Sequence, residues 1–472
     1  MKKLFLQSII VLSIFLFAKN IYAQTPVGNW LGALDISGIK LHLVLKISMN
    51  DADSLIASMD SPDQGAKDIK VNFIKFENDT LTLKLKSIYS KYIGIVNDDF
   101  SELKGTWYQG FSELPLDFQK VDSLPQIKRP QEPKPPFPYI AENVFFKNKE
   151  EDVKLAGTLT FPSVGDNFPA VVLISGSGAQ NRDEEILQHK PFLIIADYLT
   201  RNGFAVLRYD DRGFGESTGD FASATTKNFA NDASAAVDYL KNNKKIDAKN
   251  IALIGHSEGG MIAAMLAAEN ENVSCAILLA GPGVSGKEIL LKQIKEINRV
   301  IGESEEEIEK SLKMSEKIYS VVSSDLDYEK ASKKIRKIYT KYSRKMSETE
   351  KRKNGLSSDR INMTIKQVLS PWFVYFVKFD PKEYLQKVSC PVLALNGSKD
   401  LQVDAKMNLQ AIENALKNGG NSNYKIMEIS GLNHLFQTAE TGAPSEYSEI
   451  EETFSENVLS IINKWLNEQL KK

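Results

Sequence analysis

The chain has 472 residues, enough for two or three domains, with 42% hydrophobic and 25% charged residues. Its formal net charge of −2 offers no electrostatic attraction to nucleic acid or to an acidic membrane surface, so we expect neither as a partner. With only two cysteines, the chain cannot be a disulfide-scaffolded protein. These numbers are typical of a folded protein with more than one domain.

The first 23 residues have the pattern of a secretory signal peptide. Lys2 and Lys3 precede an apolar run over residues 4–18, and Ala23 is a small residue before a cleavage site at Gln24. The run is shorter than the roughly 20 residues of a membrane-spanning helix, which disfavours the alternative of an N-terminal anchor. We therefore predict a periplasmic or secreted mature protein that begins after Ala23 and has no membrane span.

Residues 24–122 are predicted to form an all-β domain, barrel-like or a sandwich. The segments 40-KLHLVLKIS-48 and 81-LTLKLKSIY-89 alternate apolar and polar residues, as strands with one buried face do. His42 lies on one of these strands, and we interpret it as structural. Residues 123–140 contain six prolines, which disfavour helix and sheet and predict a semi-extended linker.

From residue 141 to residue 472, strand-like and helix-like segments alternate. The runs 170-AVVLIS-175, 204-FAVLRY-209 and 251-IALIG-255 are continuously apolar, which is typical of a mostly parallel sheet with helices on both faces. Between about 284 and 387 a charged, helical insert interrupts this alternation. The pattern predicts an α/β domain that carries a helical cap.

The segment 251-IALIGHSEGGMIAAMLAA-268 contains a serine between a strand-like and a helix-like run. Gly255 and Gly259 stand two residues on either side of Ser257, where small residues let the strand and the helix pack at a sharp turn. Such a turn exposes the hydroxyl and directs the N–H of Glu258, at the helix N-terminus, toward an oxyanion. A Gly-rich connection without chemistry is the alternative, but the strand–turn–helix context predicts a nucleophile.

Of the four histidines, His434 has the position expected of a base for this serine. The other three lie in the β-domain, in the first helical run of the α/β part and next to the serine: His42, His189 and His256. His434 follows a late strand-like run, and open α/β sheets carry their sites beyond the C-terminal ends of strands. Asp400, after another such run, is predicted to orient His434, whereas Asp404 is better placed to begin the next helix. The order Ser257, Asp400, His434 is that of an α/β hydrolase.

A second oxyanion donor is predicted in the loop 176-GSGAQNRDEE-185, which follows the first buried strand. The backbone N–H of Ser177 has the offset expected for this role, and Gly178 is the alternative. Aromatic residues in 370-SPWFVYFVKF-379 either line an acyl pocket under the insert or form the core of the insert: Trp372, Phe373, Tyr375 and Phe376.

Cys275 and Cys390 each begin a short apolar run. If these runs are neighbouring parallel strands, the two sulfurs lie within bonding range, and an exported protein permits a disulfide. Two separate buried thiols are the other possibility.

Several motifs together resemble those of the α/β-hydrolase superfamily over about residues 141–470. They are 174-ISGSGAQNRDE-184, 210-DDRGFGESTG-219, 255-GHSEGG-260 and the late Asp400 and His434. The similarity is greatest to bacterial serine carboxylesterases with a β-rich N-terminal domain, and it includes the adjacent Arg182 and Asp183. This resemblance implies ester hydrolysis by a serine through an acyl-enzyme, without a metal or a cofactor. Asp211 and Arg212 are expected to shape a turn and to brace the site.

The sequence leaves three functions open. The first is a carboxylesterase for small or medium acyl esters, with a small-molecule or glycan-linked ester as its substrate. The second is a serine peptidase of the prolyl-oligopeptidase or aminopeptidase type, which needs an amine-binding carboxylate such as Glu258, Asp183 or Glu184. The third is a protein that binds a ligand without catalysis. The oligomeric state is not indicated.

Overall fold

The structure is a computed structural model that describes residues 25–36, 39–64, 66–110, 112–123, 128–353 and 355–470. The predicted signal peptide, residues 1–23, lies outside the described residues. The chain divides into two compact units, and residues 125–472 belong to the second. Within the described ranges, no helix has the length and apolar character needed to cross a membrane.

The N-terminal part forms a nine-stranded antiparallel sheet, as the alternating pattern predicts. Its strands are β1 (Gly28–Ile36), β2 (Ile39–Met49), β3 (Leu55–Ser61), β4 (Ala66–Lys70), β5 (Phe73–Glu77), β6 (Thr80–Leu85), β7 (Ser90–Val96), β8 (Glu102–Gln109) and β9 (Ser112–Val121). The strand order is β4-β3-β2-β1-β9-β8-β7-β6-β5. Trp30, Trp107 and Phe118, from the aromatic-rich segments of β1, β8 and β9, are buried in this unit.

The second sheet has eight strands. They are β10 (Tyr139–Asn148), β11 (Val153–Pro162), β12 (Phe168–Ile174), β13 (Ala205–Tyr209), β14 (Ile246–His256), β15 (Cys275–Leu279), β16 (Val392–Gly397) and β17 (Tyr424–Ile429). The order is β10-β11-β13-β12-β14-β15-β16-β17, with parallel pairing from β13 to β17. The antiparallel strands β10 and β11 form one edge, and β10 begins at Tyr139, inside the range predicted to be linker.

Twelve helices accompany this sheet in the described part of the chain. They are α1 (Pro191–Arg201), α2 (Thr226–Lys241), α3 (Glu258–Glu269), α4 (Gly286–Val300), α5 (Glu305–Val322), α6 (Tyr328–Tyr342), α7 (Glu348–Lys353), α8 (Ser358–Val368), α9 (Pro371–Lys378), α10 (Lys382–Leu385), α11 (Ala405–Asn418) and α12 (Glu456–Leu470). Alternate residues of β12 face two cores: Val172 packs with α2, α3 and α11, whereas Val171 packs with α1 and α12. This two-sided burial explains why the parallel strands are continuously apolar.

The predicted insert at about 284–387 corresponds to helices α4–α10, which lie in sequence between β15 and β16. Several of these helices begin at a residue whose side chain accepts the N–H three residues later: Ser285, Ser304, Asp327, Ser357 and Ser370. Such caps satisfy an N–H that has no acceptor within the helix, which explains where these helices start. A separate hydrophobic cluster, which includes Ile335, Ile365 and Phe373, forms the core of the insert.

The segment that follows residue 127 is attached to the second unit by side-chain hydrogen bonds. The Arg129 guanidinium donates to the carbonyl oxygens of Ile450, at 2.9 Å, and Leu187, at 3.1 Å. The Gln131 amide donates to the carbonyl of Phe454, at 2.7 Å, and accepts the N–H of Thr453, at 2.6 Å. This part of the proline-rich segment is therefore packed onto the loop before α12, which its composition does not indicate.

Cys275 and Cys390 are both free thiols. Cys275 begins β15, and Cys390 precedes the neighbouring parallel strand β16, so the predicted adjacency of the two strands is present. Burial raises the pKa of Cys390 to about 11 and raises that of Cys275 as well, which keeps both sulfurs in the unreactive thiol form.

Candidate active site

Ser257 lies at the turn between β14 and α3, with a backbone φ of 52° and ψ of −120°. A positive φ is strained for a residue with a side chain, and such strain is found where the surrounding structure imposes it. A Cβ at Gly255 would overlap the carbonyl oxygen of Gly259, and a Cβ at Gly259 would overlap that of Ile174. The glycines therefore permit the close strand–helix contact that holds Ser257 at the end of the sheet, where its side chain is partly exposed.

His434 and Asp400 are joined by a hydrogen bond of 2.8 Å between His434 Nδ1 and Asp400 Oδ2. Because an ionised carboxylate only accepts, this contact assigns the proton to Nδ1 and leaves Nε2 to take a proton. The other oxygen of Asp400 accepts the N–H groups of Gln402, at 2.8 Å, and Val403, at 2.9 Å. The loops after β16 and β17 thus bring together two residues 34 positions apart, both buried.

The other predicted alternatives for these roles have different partners. Asp404 caps α11, where its side chain accepts the N–H of Met407 at 2.8 Å. His189 is buried, with Nδ1 at 3.0 Å from the Thr453 hydroxyl and Nε2 at 2.7 Å from the Tyr447 carbonyl oxygen. Neither residue contacts the His434–Asp400 pair through these bonds.

His256, the residue before Ser257, connects the serine turn to the loop that carries His434. Its Nδ1 is 2.9 Å from Glu184 Oε1, and its Nε2 donates to the carbonyl oxygen of His434 at 2.9 Å. The centres of the two imidazole rings are 4.8 Å apart. Burial disfavours the charged form of His256, but the Glu184 carboxylate, with smaller contributions from the His434 carbonyl and Asp400, raises the pKa of His256 above its ordinary value.

The loop predicted to supply an oxyanion donor follows β12 and lies against Ser257. A Cβ placed on Gly176 would be 3.2 Å from the Ser257 Cβ. The N–H of Gly176 donates to Glu184 Oε1 at 2.7 Å, so this amide already has an acceptor. Glu258 begins α3, and a first-turn N–H has no acceptor within its helix. The predicted pair of donors, Ser177 and Glu258, remains a prediction, with Ser177 on the exposed part of the loop.

Charged pairs hold the same loop to residues at and beyond the end of β13. Arg182 binds the Asp210 carboxylate with two groups, Nε at 3.0 Å and Nη2 at 2.6 Å. Asp183 accepts from Arg208 Nη1 at 2.6 Å. Arg182 and Asp183, which the sequence places side by side, are thus each paired with a residue of another segment, and both pairs brace the loop.

Asp211 and Arg212 also brace this region, as expected from the sequence. Asp211 accepts the hydroxyl of Ser175 at 2.7 Å and the N–H of Gln180 at 2.9 Å. Burial raises the pKa of Asp211 to about 8. Arg212 binds both oxygens of Asp232, at 2.7 and 2.8 Å, which connects the turn after β13 to helix α2.

The Glu258 side chain connects the serine turn to the insert. Its Oε1 accepts the hydroxyl of Thr226, on α2, at 2.6 Å and the indole N–H of Trp372, on α9, at 2.9 Å. Burial raises the pKa of Glu258, and hydrogen bonds from Thr226, Trp372 and Ser177 oppose that increase. The residue after Ser257 therefore has a backbone at the start of α3 and a side chain that positions the insert.

The aromatic residues of α9 contribute to the hydrophobic cores. Phe373 and Phe376 are buried, whereas Trp372 and Tyr375 are partly buried against the core. A small cavity has Ser175, Gly176 and Glu258 among its lining residues. Of the described residues that line this cavity, none is one of the four aromatic residues of α9 that were predicted to line an acyl pocket. An acyl pocket formed by these aromatic residues remains a prediction.

The model of one family of hydrolases matches residues 190–438, just over half of the chain; the family is described as serine aminopeptidase, S33. This chain belongs to the S33 serine aminopeptidase family. The match spans Ser257, Asp400 and His434, and the α/β-hydrolase fold predicted from the motifs is confirmed. As a member of this family the protein is a hydrolase.

The relatives of this S33 family member include an enzyme that matches it over about two thirds of both chains. Esterase EstD from Thermotoga maritima is 28% identical over 324 residues, which are 68% of each chain. The solved esterase Pf2001 from Pyrococcus furiosus is 16% identical, with a TM-score of 0.42 over 70% of this chain and 93% of that one. Est1E from Butyrivibrio proteoclasticus is 18% identical, with a TM-score of 0.42 over 70% of this chain and all of that one (100%).

Proposed function

We propose that this protein is a serine carboxylesterase that hydrolyses small or medium acyl esters through an acyl-enzyme. The observation that carries the proposal is the buried 2.8 Å hydrogen bond between His434 and Asp400, beside the strained turn that presents Ser257. The similarity to a relative named as an esterase supports ester rather than amide substrates. Neither proposed step calls for a cofactor.

In the first step, Ser257 Oγ attacks the ester carbonyl carbon while His434 Nε2 takes the hydroxyl proton. Asp400 keeps the proton of His434 on Nδ1 and stabilises the imidazolium. The carbonyl oxygen becomes an oxyanion, for which we propose the N–H groups of Glu258 and Ser177 as donors. The C–O bond to the alcohol then breaks, and the alcohol leaves with the proton from His434.

In the second step, water attacks the acyl carbon and His434 Nε2 takes one of its protons. A new oxyanion forms at the same donors, and the bond from the acyl carbon to Ser257 Oγ breaks. Ser257 recovers its proton from His434, and the acid is released. One ester and one water thus yield one acid and one alcohol, with Ser257 unchanged.

We also propose that the enzyme acts in the periplasm or outside the cell. The support is the N-terminal sequence, with Lys2 and Lys3 before an apolar run and Ala23 before the cleavage site. Fractionation of cells that express the full chain, with N-terminal sequencing of the product, tests this. A product that begins at Gln24 outside the cytoplasm is expected, and an uncut cytoplasmic chain would contradict it.

The test of the activity is hydrolysis of p-nitrophenyl acetate, butyrate and octanoate by the protein without residues 1–23. Ser257→Ala is expected to lower kcat by at least about 10⁴-fold, because no nucleophile remains. Ser285→Ala, which removes a helix cap in the same unit, is the control and should retain most of the activity. Equal turnover by the wild type and Ser257→Ala would refute the proposal, and the preferred chain length would indicate the size of the acyl site.

Peptide hydrolysis is the second candidate, because the family is described as serine aminopeptidase. The carboxylates considered for binding a substrate amine already have partners: Asp183 pairs with Arg208, Glu184 with His256, and Glu258 with Trp372. This disfavours an aminopeptidase. Faster hydrolysis of an aminoacyl p-nitroanilide than of every ester would reverse the assignment. Failure of a fluorophosphonate to label Ser257 would instead support a protein that binds without catalysis.

A further inference from the structure

We propose that Glu184 and His256 are positioning residues. They hold two loops in their active arrangement: the oxyanion loop (residues 176–185), which carries Ser177, and the loop after β17 that carries His434. The proposal rests on the proposed esterase function and deepens it. Neither residue touches the reacting atoms in the proposed mechanism. Both act through residues that do.

Glu184 connects the oxyanion loop to the serine turn through a single oxygen atom. Its Oε1 accepts the N–H of Gly176 at 2.7 Å and lies 2.9 Å from His256 Nδ1. Gly176 precedes the predicted donor Ser177, and His256 precedes the nucleophile Ser257. One carboxylate oxygen therefore fixes the distance between the two backbone segments that must face the same oxyanion.

His256 continues this connection to the base. Its Nε2 donates to the carbonyl oxygen of His434 at 2.9 Å, and the two rings lie 4.8 Å apart between their centres. The strand order places β15 and β16 between β14, which ends at His256, and β17, which precedes His434. Strands β14 and β17 do not pair with each other, so the backbone aligns their loops only through β15 and β16, and the His256 side chain adds a direct connection between them.

The contacts of this pair require protonation at defined atoms. Both ring nitrogens of His256 face acceptors, the Glu184 carboxylate and a carbonyl oxygen, so the imidazole donates from both when it is charged. The side chains are almost fully buried, with 1% exposure for Glu184 and 7% for His256. A buried charged group left without its partner is strongly unfavourable. Loss of either side chain should therefore shift the loop that it holds.

Glu184 is also held in a strained backbone conformation, with φ 51°. Strain of this kind persists when the surrounding contacts impose it, and it concentrates at functional sites. His189 provides a comparison, because it is buried as well but its two ring nitrogens bind Thr453 and Tyr447, away from the triad.

The experiment measures kcat and KM for p-nitrophenyl butyrate with Glu184→Gln, His256→Asn and the double variant. Each single variant is expected to lower kcat about 10- to 100-fold, because small misplacements of reacting groups have effects of this size. KM should change less than about threefold, since the substrate does not touch the pair, and the double variant should be no slower than the slower single variant.

Conservative and matched variants distinguish a specific positioning role from a general destabilisation of the fold. His256→Gln keeps an N–H donor near the place of Nε2 and is expected to recover part of the activity lost in His256→Asn. His189→Gln removes a buried histidine whose side chain binds Thr453 and Tyr447, away from the triad, and it should keep kcat within about threefold of wild type. Thermal unfolding is recorded for every variant, and Glu184→Gln, which is isosteric, carries the test if His256→Asn does not fold.

Several outcomes would overturn the proposal. They are wild-type kcat in both single variants, additive effects in the double variant, or an equal loss of kcat in His189→Gln. If the wild type hydrolyses no ester, the rate of Ser257 labelling by a fluorophosphonate replaces kcat, so the pair is still tested when the substrate assignment fails. If no protein is labelled at Ser257, both the function and the positioning role are refuted.

Discussion

Two hydrogen-bonded pairs of histidine and aspartate occur in different parts of this molecule. On strand β2, His42 Nδ1 is 2.9 Å from Asp63 Oδ2, and beyond strands β16 and β17, His434 Nδ1 is 2.8 Å from Asp400 Oδ2. The two distances are nearly the same. The pairs differ in their surroundings, and this difference decides what each can do.

Asp400 uses both oxygens, because its second one accepts the N–H groups of Gln402 and Val403. In the described part of the chain, the second oxygen of Asp63 is buried without a hydrogen-bond partner. The His42 side chain is 31% exposed, whereas that of His434 is 4% exposed. A pair of this kind stabilises an imidazolium, but it supports catalysis only where a nucleophile and oxyanion donors share its sheet edge.

The largest expected effect distinguishes the two pairs by activity. Asp400→Asn should lower kcat for p-nitrophenyl butyrate by about 10³- to 10⁴-fold, because His434 loses the partner that selects its tautomer and stabilises its charge. Asp63→Asn removes the corresponding carboxylate, in the short 3-10 turn that follows β3, and should leave kcat unchanged. Equal loss in the two variants, or normal activity in Asp400→Asn, would contradict the roles assigned to the pairs.

The next effect concerns the turn at Ser257, which lies beside the His434–Asp400 pair and has no counterpart beside the His42–Asp63 pair. Gly255→Ala is expected to destabilise the protein by about 1–3 kcal/mol, because the new Cβ overlaps the carbonyl oxygen of Gly259. The measurement is urea unfolding, with kcat in parallel, and a loss of activity should accompany the loss of stability. Gly110→Ala, in the turn after β8, meets no atom within 4 Å but places a side chain at a φ of 57°, so it is the control for backbone strain without steric overlap.

A third aspartate extends the comparison, because Asp211 is hydrogen-bonded to a hydroxyl and an amide instead of a histidine. Its pKa of about 8 in the folded state exceeds the ordinary value of 3.8, so the folded state keeps a proton that the unfolded state releases. Stability should therefore decrease as pH rises from about 4 to about 8, and Asp211→Asn should remove this decrease. Thermal unfolding between these pH values measures it, and Asp220→Asn is the exposed control. Parallel curves for wild type and Asp211→Asn would contradict the assignment.

The smallest effect concerns His42. The hydrogen bond with Asp63 raises the pKa of His42 above 6.5, against the opposing effect of burial. Its contribution to stability is thus complete below pH 6.5 and is lost as pH rises through the raised pKa. His42→Gln should lower the unfolding temperature at pH 5.5 and have little effect at pH 9.

His189 should show the opposite dependence. Burial lowers its pKa to about 4, so the wild type loses stability as pH falls below 6.5 and the unfolded chain gains a proton there. His189→Gln should therefore be less destabilised than the wild type at acid pH, which thermal unfolding measures.

Much of the site follows from local sequence patterns. The glycines around Ser257 predict the strand–turn–helix geometry, because no larger residue fits between β14 and α3. His434 is found by elimination among four histidines, and its position after a strand agrees with its hydrogen bond to Asp400. The preference for Asp400 over Asp404 agrees with the structure, where Asp404 caps α11. Strands β10 and β11 were not predicted, because they form an antiparallel edge without the continuous apolar runs of the parallel strands.

The sequence by itself determined the α/β class, the sharp turn at Ser257 and the chain order of the residues proposed as the triad, because these depend on local backbone geometry and on hydrophobic pattern. Only the tertiary structure decided which side chains connect the loops. Glu184 meets His256 across 72 positions, and Trp372 meets Glu258 across 114. A hydrogen bond requires two atoms within about 3 Å, and no pattern in the chain encodes that distance for residues so far apart. The packing of the sheet and the insert alone brings them within it.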